Sequence, residues 1–197
     1  MTGNVVRRYP RVIHQEGGDL EVRYMTGADE AAVLAFAQAL PVHDLLFLPR
    51  DITQPKVLAA WTHEMERGAL TSLLALRAGT VLGCATIVCD PLSWSAHVGE
   101  IRVVVAAQTR GSGIGRLLIQ EIFRVALGLG VEKLTAQMTA DQRGALAVFE
   151  SMGFRGEALL RDHVKDRDGV KHDLVILGHD VARFQAQMQV YGLTEAF

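Results

Sequence analysis

Val103-Val104-Val105-Ala106-Ala107-Gln108-Thr109-Arg110-Gly111-Ser112-Gly113-Ile114-Gly115-Arg116-Leu117-Leu118 joins an apolar strand, a tight glycine-rich turn and the opening of an amphipathic helix. The valine run is too apolar to be solvated on either face, as expected of a strand covered on both sides. The turn brings several backbone N–H groups and the positive end of a helix to one point, an arrangement that holds anions. Arg110 and Arg116 raise the local potential further. The stretch therefore predicts a phosphate-holding turn between a buried strand and a helix.

Outward from this turn the apolar spacing predicts the remaining elements. Ile114, Leu117, Leu118, Ile122, Val125, Ala126 and Leu129 recur every three or four residues, giving a helix from Gly113 to Gly128. Leu134, Ala136 and Met138 alternate with polar neighbours as a strand, and Ala145, Val148, Phe149 and Met152 form the inner face of a helix over 141–152. Upstream, Leu20–Tyr24 reads as a strand, followed by a helix capped at Thr26 or Asp29 and stopped by Pro41. Residues 41–54 read as a structured loop and about 55–67 as a second helix. Strands are expected at Ser72–Arg77, Val81–Val88 and His97–Val105, and a hairpin at 158–165 and 170–177 across Asp166-Arg167-Asp168-Gly169. A last helix is expected at about 179–191. The fold class is α/β, a mixed and mostly antiparallel sheet with helices on both faces. Residues 1–18 read as an N-terminal extension, 19–178 as the domain and 179–197 as a helical extension.

The 197 residues are 49% apolar and 21% charged, with formal net charge −2, ordinary for one globular domain. A pI near 6.4 argues against a nucleic-acid partner. Cys84 and Cys89 read as free thiols rather than a disulfide, because five positions along a strand turn them to opposite faces. No signal-peptide core or membrane-length apolar run is present, so a cytoplasmic protein without a membrane partner is expected. No metal-ligand spacing is read from the sequence.

Glycine-rich turns serve several phosphate ligands. A nucleoside-triphosphatase loop needs Gly-Lys-Ser/Thr, whereas Gly115 is followed by Arg116-Leu117. A dinucleotide fingerprint belongs after the first strand of a βαβ unit, and here three strands precede. Arg110-x-x-Gly113-x-Gly115 after a valine-rich strand instead resembles the Arg/Gln-x-x-Gly-x-Gly/Ala signature of the GNAT superfamily of acyl-CoA-dependent N-acetyltransferases. Ala145-Leu146-Ala147-Val148-Phe149-Glu150-Ser151-Met152-Gly153-Phe154 is similar to that family's Ala-x-x-Leu-Tyr-Glu-x-x-Gly-Phe segment. The resemblance covers roughly 20–178 in the family's element order.

The resemblance implies acetyl-CoA as acyl donor. Backbone N–H groups across Arg110, Gly111, Ser112, Gly113, Ile114, Gly115 and Arg116 would hold its diphosphate. In the family the fourth and fifth strands splay and pantetheine bonds in the gap like an added strand. That gives Val103 and Val105 the backbone contacts here, with the Val105 N–H polarising the thioester carbonyl. Gln142 and Phe149 stand where the family often has Asn and Tyr and are further donor-contact candidates. Phe149 cannot act as a general acid toward the leaving thiol. This departure keeps open a second reading, a module that binds acyl-CoA without catalysis.

Acyl transfer to an amine needs a proton acceptor. Glu100, ten residues before Arg110, lies close to where some family members carry a catalytic glutamate; equally, Glu100 and Arg102 share a strand face and would pair. His97 is a second candidate base. His43, Asp44, Arg50 and Asp51 in the loop, with His163, His172 and Asp173 on the hairpin, are candidate contacts for an amine acceptor of unidentified kind. Direct attack is expected, since neither cysteine lies near the expected thioester. The family resemblance also allows a homodimer.

Overall fold

The computed structural model describes residues 8–15 and 17–181. Its centre is one eight-stranded sheet in the order β1-β2-β3-β4-β5-β6-β8-β7. The strands are β1 (Arg11–Ile13), β2 (Leu20–Tyr24), β3 (Leu70–Arg77), β4 (Thr80–Val88), β5 (Val98–Val105), β6 (Lys133–Thr139), β7 (Arg155–Lys165) and β8 (Lys171–Asp180). Every pair is antiparallel except β5 with β6. That one parallel pair needs a crossover, and α3 (Ile114–Gly128) supplies it.

The central strands carry apolar side chains on both faces. Leu73 and Ala75 of β3 join Ile87, Ile101, Ile114, Leu118 and Ile122 in one core layer beneath α3. Leu74 and Leu76 turn the other way, to Val33, Phe36 and Leu58 of α1 (Glu30–Gln38) and α2 (Pro55–Glu66). α4 (Arg143–Ser151) packs Phe149 into the first layer. At Gly83 of β4 a Cβ would meet Leu118 Cδ1 at 2.7 Å and the Val104 carbonyl oxygen at 3.2 Å. This missing side chain lets α3 lie close on the sheet, which sets the helix N-terminus beside the end of β5.

Two boundaries differ from the sequence expectation. Part of the stretch read as an N-terminal extension is β1, which adds an edge strand through Val12↔Glu21. Its anchor is Glu121 of α3, only 1% exposed. The Glu121 carboxylate accepts the Tyr9 hydroxyl at 2.8 Å, Arg11 Nη1 at 2.5 Å and Arg124 Nη1 at 3.1 Å. Burial, then the Glu121 carboxylate, raises the Tyr9 phenol above its ordinary range. At the other end, residues 179 and 180 of the expected terminal helix belong to β8, because their backbones pair with Leu134 and Lys133. Residues 182–191 of that helix lie outside the described residues. Among the described residues no helix is long and apolar enough to cross a membrane.

Asp29, at the start of α1, is held by Arg23 at 2.8 and 2.6 Å and by the Thr26 N–H at 2.9 Å. The Arg23 guanidinium lowers the Asp29 carboxyl from 3.8 to about 2. Its stabilisation is therefore full above pH ~4 and is lost as pH falls toward 2. In urea unfolding, the stability gap between wild type and Asp29→Asn should shrink across that window, and a constant gap would contradict this role. Tyr9→Phe removes a hydrogen bond to a buried charge and should lower unfolding free energy by roughly 1.5–3 kcal/mol, read from the urea midpoint.

Candidate functional site

The parallel ladder between β5 and β6 is short, running from Val98↔Lys133 only to Ile101↔Ala136. Beyond it β5 stays with β4 as far as Val105↔Gly83, while β6 stays with β8 as far as Thr139↔Leu174. The two strands therefore part into a V that opens toward Val105 and Thr139. The Ala106 N–H donates to the Leu82 carbonyl at 2.8 Å. Alternation along an extended chain then turns the N–H and C=O groups of Val103 and Val105 away from β4, into the V. An extended ligand placed there would find a ready strand edge.

The chain leaves β5 through a tight turn at Ala107–Thr109 and reaches Arg110 in extended conformation. Gly111 and Gly113 then take φ of +78° and +83°, the left-handed region that L side chains resist. An added Cβ at either glycine would enter open space. The Ser112 N–H and hydroxyl both donate to the Thr109 carbonyl, at 3.2 and 2.6 Å, bracing the turn. The N–H groups of Gly111, Gly113, Ile114, Gly115 and Arg116 find no acceptor among the described residues. The last three lie in the first turn of α3, where a helix leaves its donors unpaired. This is a concave set of amides at a positive helix end, with Arg116 exposed beside it. Gly115 stands against Val105: a Cβ there would lie 3.5 Å from Val105 Cγ2, so cradle and V are continuous.

The short turn Val42–Leu45 lies across the mouth of the V. On the β5 side, Asp44 pairs with Arg110. On the β6 side, His43 Nε2 lies 3.0 Å from Asp141 Oδ2 and 3.4 Å from Thr139 Oγ1, and the Gln142 amide donates to the His43 carbonyl at 3.4 Å. The His172 ring stands edge-on to His43, with centroids 5.1 Å apart, and its Nε2 is 2.8 Å from Asp166 Oδ2. The Thr139 side chain, then a backbone N–H and only after these the two imidazoles, hold the Asp141 carboxyl below its ordinary range. Arg167 of the hairpin turn reaches Asp51 at 2.9 Å and Thr53 at 3.1 Å, joining hairpin to loop. A cavity of about 460 Å³ lies at this junction, lined by Gln38, Leu40, Asp51, Thr53 and Arg167 among others.

The other sequence candidates fall in different places. Glu100 is on the α1–α2 face of β5, both its oxygens accepting Arg102 at 2.8 and 3.0 Å. At about 3.3 Å per residue it lies some 16 Å along the strand from Val105. His97 precedes β5 at the closed end of the V, about 26 Å from Val105 by the same rise, too far to serve the mouth. Phe149 is buried edge-to-face on Phe154 with centroids 5.0 Å apart. Asp173 accepts the Asp162 N–H at 2.9 Å where β7 bulges, while His163 is exposed on β7 and Arg50 in the loop. Sequence reasoning passed over Asp141 and Asp166. Asp141 is 98 positions from His43 and 31 from His172, and no local pattern marks that convergence.

Residues 30–154 match the model of the acetyltransferase (GNAT) family. The Bacillus subtilis (strain 168) protein YwnH is 34% identical over 83 residues, 42% of this chain and 50% of its own length. The match thus spans about half the length of the curated relatives it resembles. A ribosomal-protein-alanine N-acetyltransferase from Brucella melitensis superposes with TM-score 0.69 at 27% identity, covering 81% of this chain and 98% of that one. The protein yncA of Salmonella typhimurium, solved with its cofactor acetyl-CoA, has TM-score 0.70 at 20% identity, covering 82% and 94%.

Arg116 offers a test that separates anion binding from folding. Glu at this first-turn position favours the helix dipole yet repels a diphosphate. Arg116→Glu should keep or raise the melting temperature while weakening coenzyme A binding about tenfold or more, some 1.4 kcal/mol by calorimetry. Undiminished affinity would remove Arg116 from the cradle.

Proposed function

The chain belongs to the acetyltransferase (GNAT) family, and from that membership we propose that it moves an acetyl group from acetyl-CoA to a primary amine by direct attack. The observation that carries the reading is the V continuous with the amide cradle. The free N–H groups of Gly111, Gly113, Ile114, Gly115 and Arg116 suit a diphosphate, and the inward-facing amides of Val103 and Val105 suit the amide-rich pantetheine arm. Val105, or Val103 deeper in the V, would donate its N–H to the carbonyl oxygen, stabilising negative charge as the amine adds. Gln142 then acts through the His43 turn, and Phe149 supports the cradle from within the core.

An alkylamine with pKa about 10.4 is only about 0.04% neutral at pH 7, so the site must take up its proton. The amine nitrogen bonds to the carbonyl carbon, the C–S bond breaks, and the thiolate leaves with the electron pair. Glu100 is the first proposed proton acceptor; some 16 Å along the strand from Val105 and paired with Arg102, it would reach the mouth only through a chain of several waters. His43 is a second, favoured by its place on the turn that spans the mouth and by the Asp141 carboxylate that orients it. Cys84 is an unsuitable nucleophile: burial raises its thiol to about 12, which supports direct attack over a covalent enzyme species. Cys84 and Cys89 are both free thiols, which fits the proposed cytoplasmic location. The proposed acceptor is an amine entering between residues 41–54 and the β7–β8 hairpin. All residues invoked come from one chain, so the reading holds for a monomer or a homodimer.

Thiol release on mixing acetyl-CoA with a panel of amines tests the reading. Glu100→Gln should lower turnover on the order of 100-fold, most at low pH, with coenzyme A affinity kept. Unchanged turnover in both Glu100→Gln and His43→Gln would refute both proton acceptors. Coenzyme A binding without release for any amine would favour the acyl-CoA-binding module.

A further inference from the structure

We propose that His43, Asp141 and His172 form a binding site for one divalent transition-metal ion of the zinc class, fastening the turn across the mouth of the V. One ligand atom from each of the three residues lies within 4.8 Å of the other two. Tetrahedral bonds of 2.0–2.1 Å put ligand atoms about 3.3 Å apart, and the His43–Asp141 pair already stands at 3.0 Å. The remaining contraction, about 1.5 Å at most, falls to side chains with room to turn: Asp141 is 61% exposed and His43 37%.

The surroundings of His172 match what metal-bound imidazoles require. Such a ring almost always gives its second nitrogen to a carboxylate, a backbone carbonyl or water, which fixes its tautomer. Here Asp166 Oδ2 takes His172 Nε2 at 2.8 Å. Asp166 is itself fixed, because its Oδ1 accepts the N–H groups of Asp168 at 3.0 Å and Val170 at 2.9 Å. The neutral ring then carries its free lone pair on the other nitrogen. Two imidazoles and one carboxylate suit Zn²⁺, Co²⁺ or Ni²⁺ far better than Ca²⁺ or Mg²⁺, which want oxygen. Three protein ligands leave one position open to water or an amine.

The three ligands come from the loop after α1, the turn that follows β6 and the start of β8, so one ion would tie three segments together. Binding should therefore raise the melting temperature with the logarithm of the free ion concentration once that exceeds the dissociation constant. It should also compete with the acceptor for the mouth. That second consequence rests on the acetyl-transfer reading, whereas metal binding itself does not.

The experiment uses tag-free full-length protein, stripped with chelator and titrated with Zn²⁺ by calorimetry and thermal melting. Co²⁺ serves as a spectroscopic probe of low-coordinate geometry. The expected result is one ion per chain, with His172→Gln and Asp141→Asn each weakening binding at least tenfold and Asp166→Asn weakening it 10- to 100-fold. His63→Gln should leave it unchanged, since His63 and Glu66, 3.8 Å apart, are an exposed two-ligand pair of the adventitious kind. Coenzyme A calorimetry on each variant verifies its fold independently of the metal. Absence of Zn²⁺ heat, or binding that survives His172→Gln in a protein that still takes coenzyme A, overturns the proposal. Zn²⁺ binding without amine-dependent thiol release would leave the site standing and sink only the transfer reading.

Discussion

One constraint organises this molecule: β5 pairs with β4 along six registered positions but with β6 along four, from Val98 to Ile101. A strand edge in a sheet interior is normally consumed by its neighbour, and leaving it bare is costly unless something else takes up its donors and acceptors. The parting of β5 and β6 creates such an edge where α3 begins. The bare amides of Val103 and Val105 and the free first-turn amides of α3 are then two parts of one surface, joined where Gly115 meets the Val105 side chain. The apolar layers on both sides of β3, β4 and β5 hold this geometry rigid. Gly83 contributes by letting Leu118 approach the sheet.

The strand–turn–helix at 98–128 was legible because its physics is local. Valine runs, positive-φ glycines and a helical apolar period leave a record within about thirty residues of sequence. The hairpin turn at 166–169 was legible for the same reason. β1 was not: Arg11-Val12-Ile13 is too short to show a period, and its place is set by Glu121, more than a hundred residues away. Residues 179 and 180 read as helix because their strand pairing with β6 is non-local. The pairing of Glu100 with Arg102 was readable as two positions on one strand face. The meeting of His43, Asp141 and His172 was not readable, since three loop or strand ends have no spacing rule linking them.

Arg110 joins the two halves of the site. Its guanidinium has five N–H donors in a fixed fork, and Asp44 engages only part of it. The pair holds Arg110 beside the cradle and holds the Val42–Leu45 turn over the mouth. In the proposed reaction, donor binding and acceptor access would thus share one residue. Any oxyanion that draws on Arg110 must leave Asp44 satisfied or else free the turn.

The other end of that turn answers to different chemistry. His43 lies between a carboxylate and a second imidazole, and with Asp141 Oδ2 at 3.0 Å its Nε2 is placed to donate a proton to that carboxylate. That bond leaves the lone pair of the neutral ring on Nδ1, the nitrogen that would serve as the proposed proton acceptor. An ion in the proposed metal site would instead replace the Nε2 proton. Metallation would exchange one hydrogen bond for a shared bond to Asp141 and His172, so the ion would hold the turn against both β6 and β8 where the proton holds it against Asp141 alone.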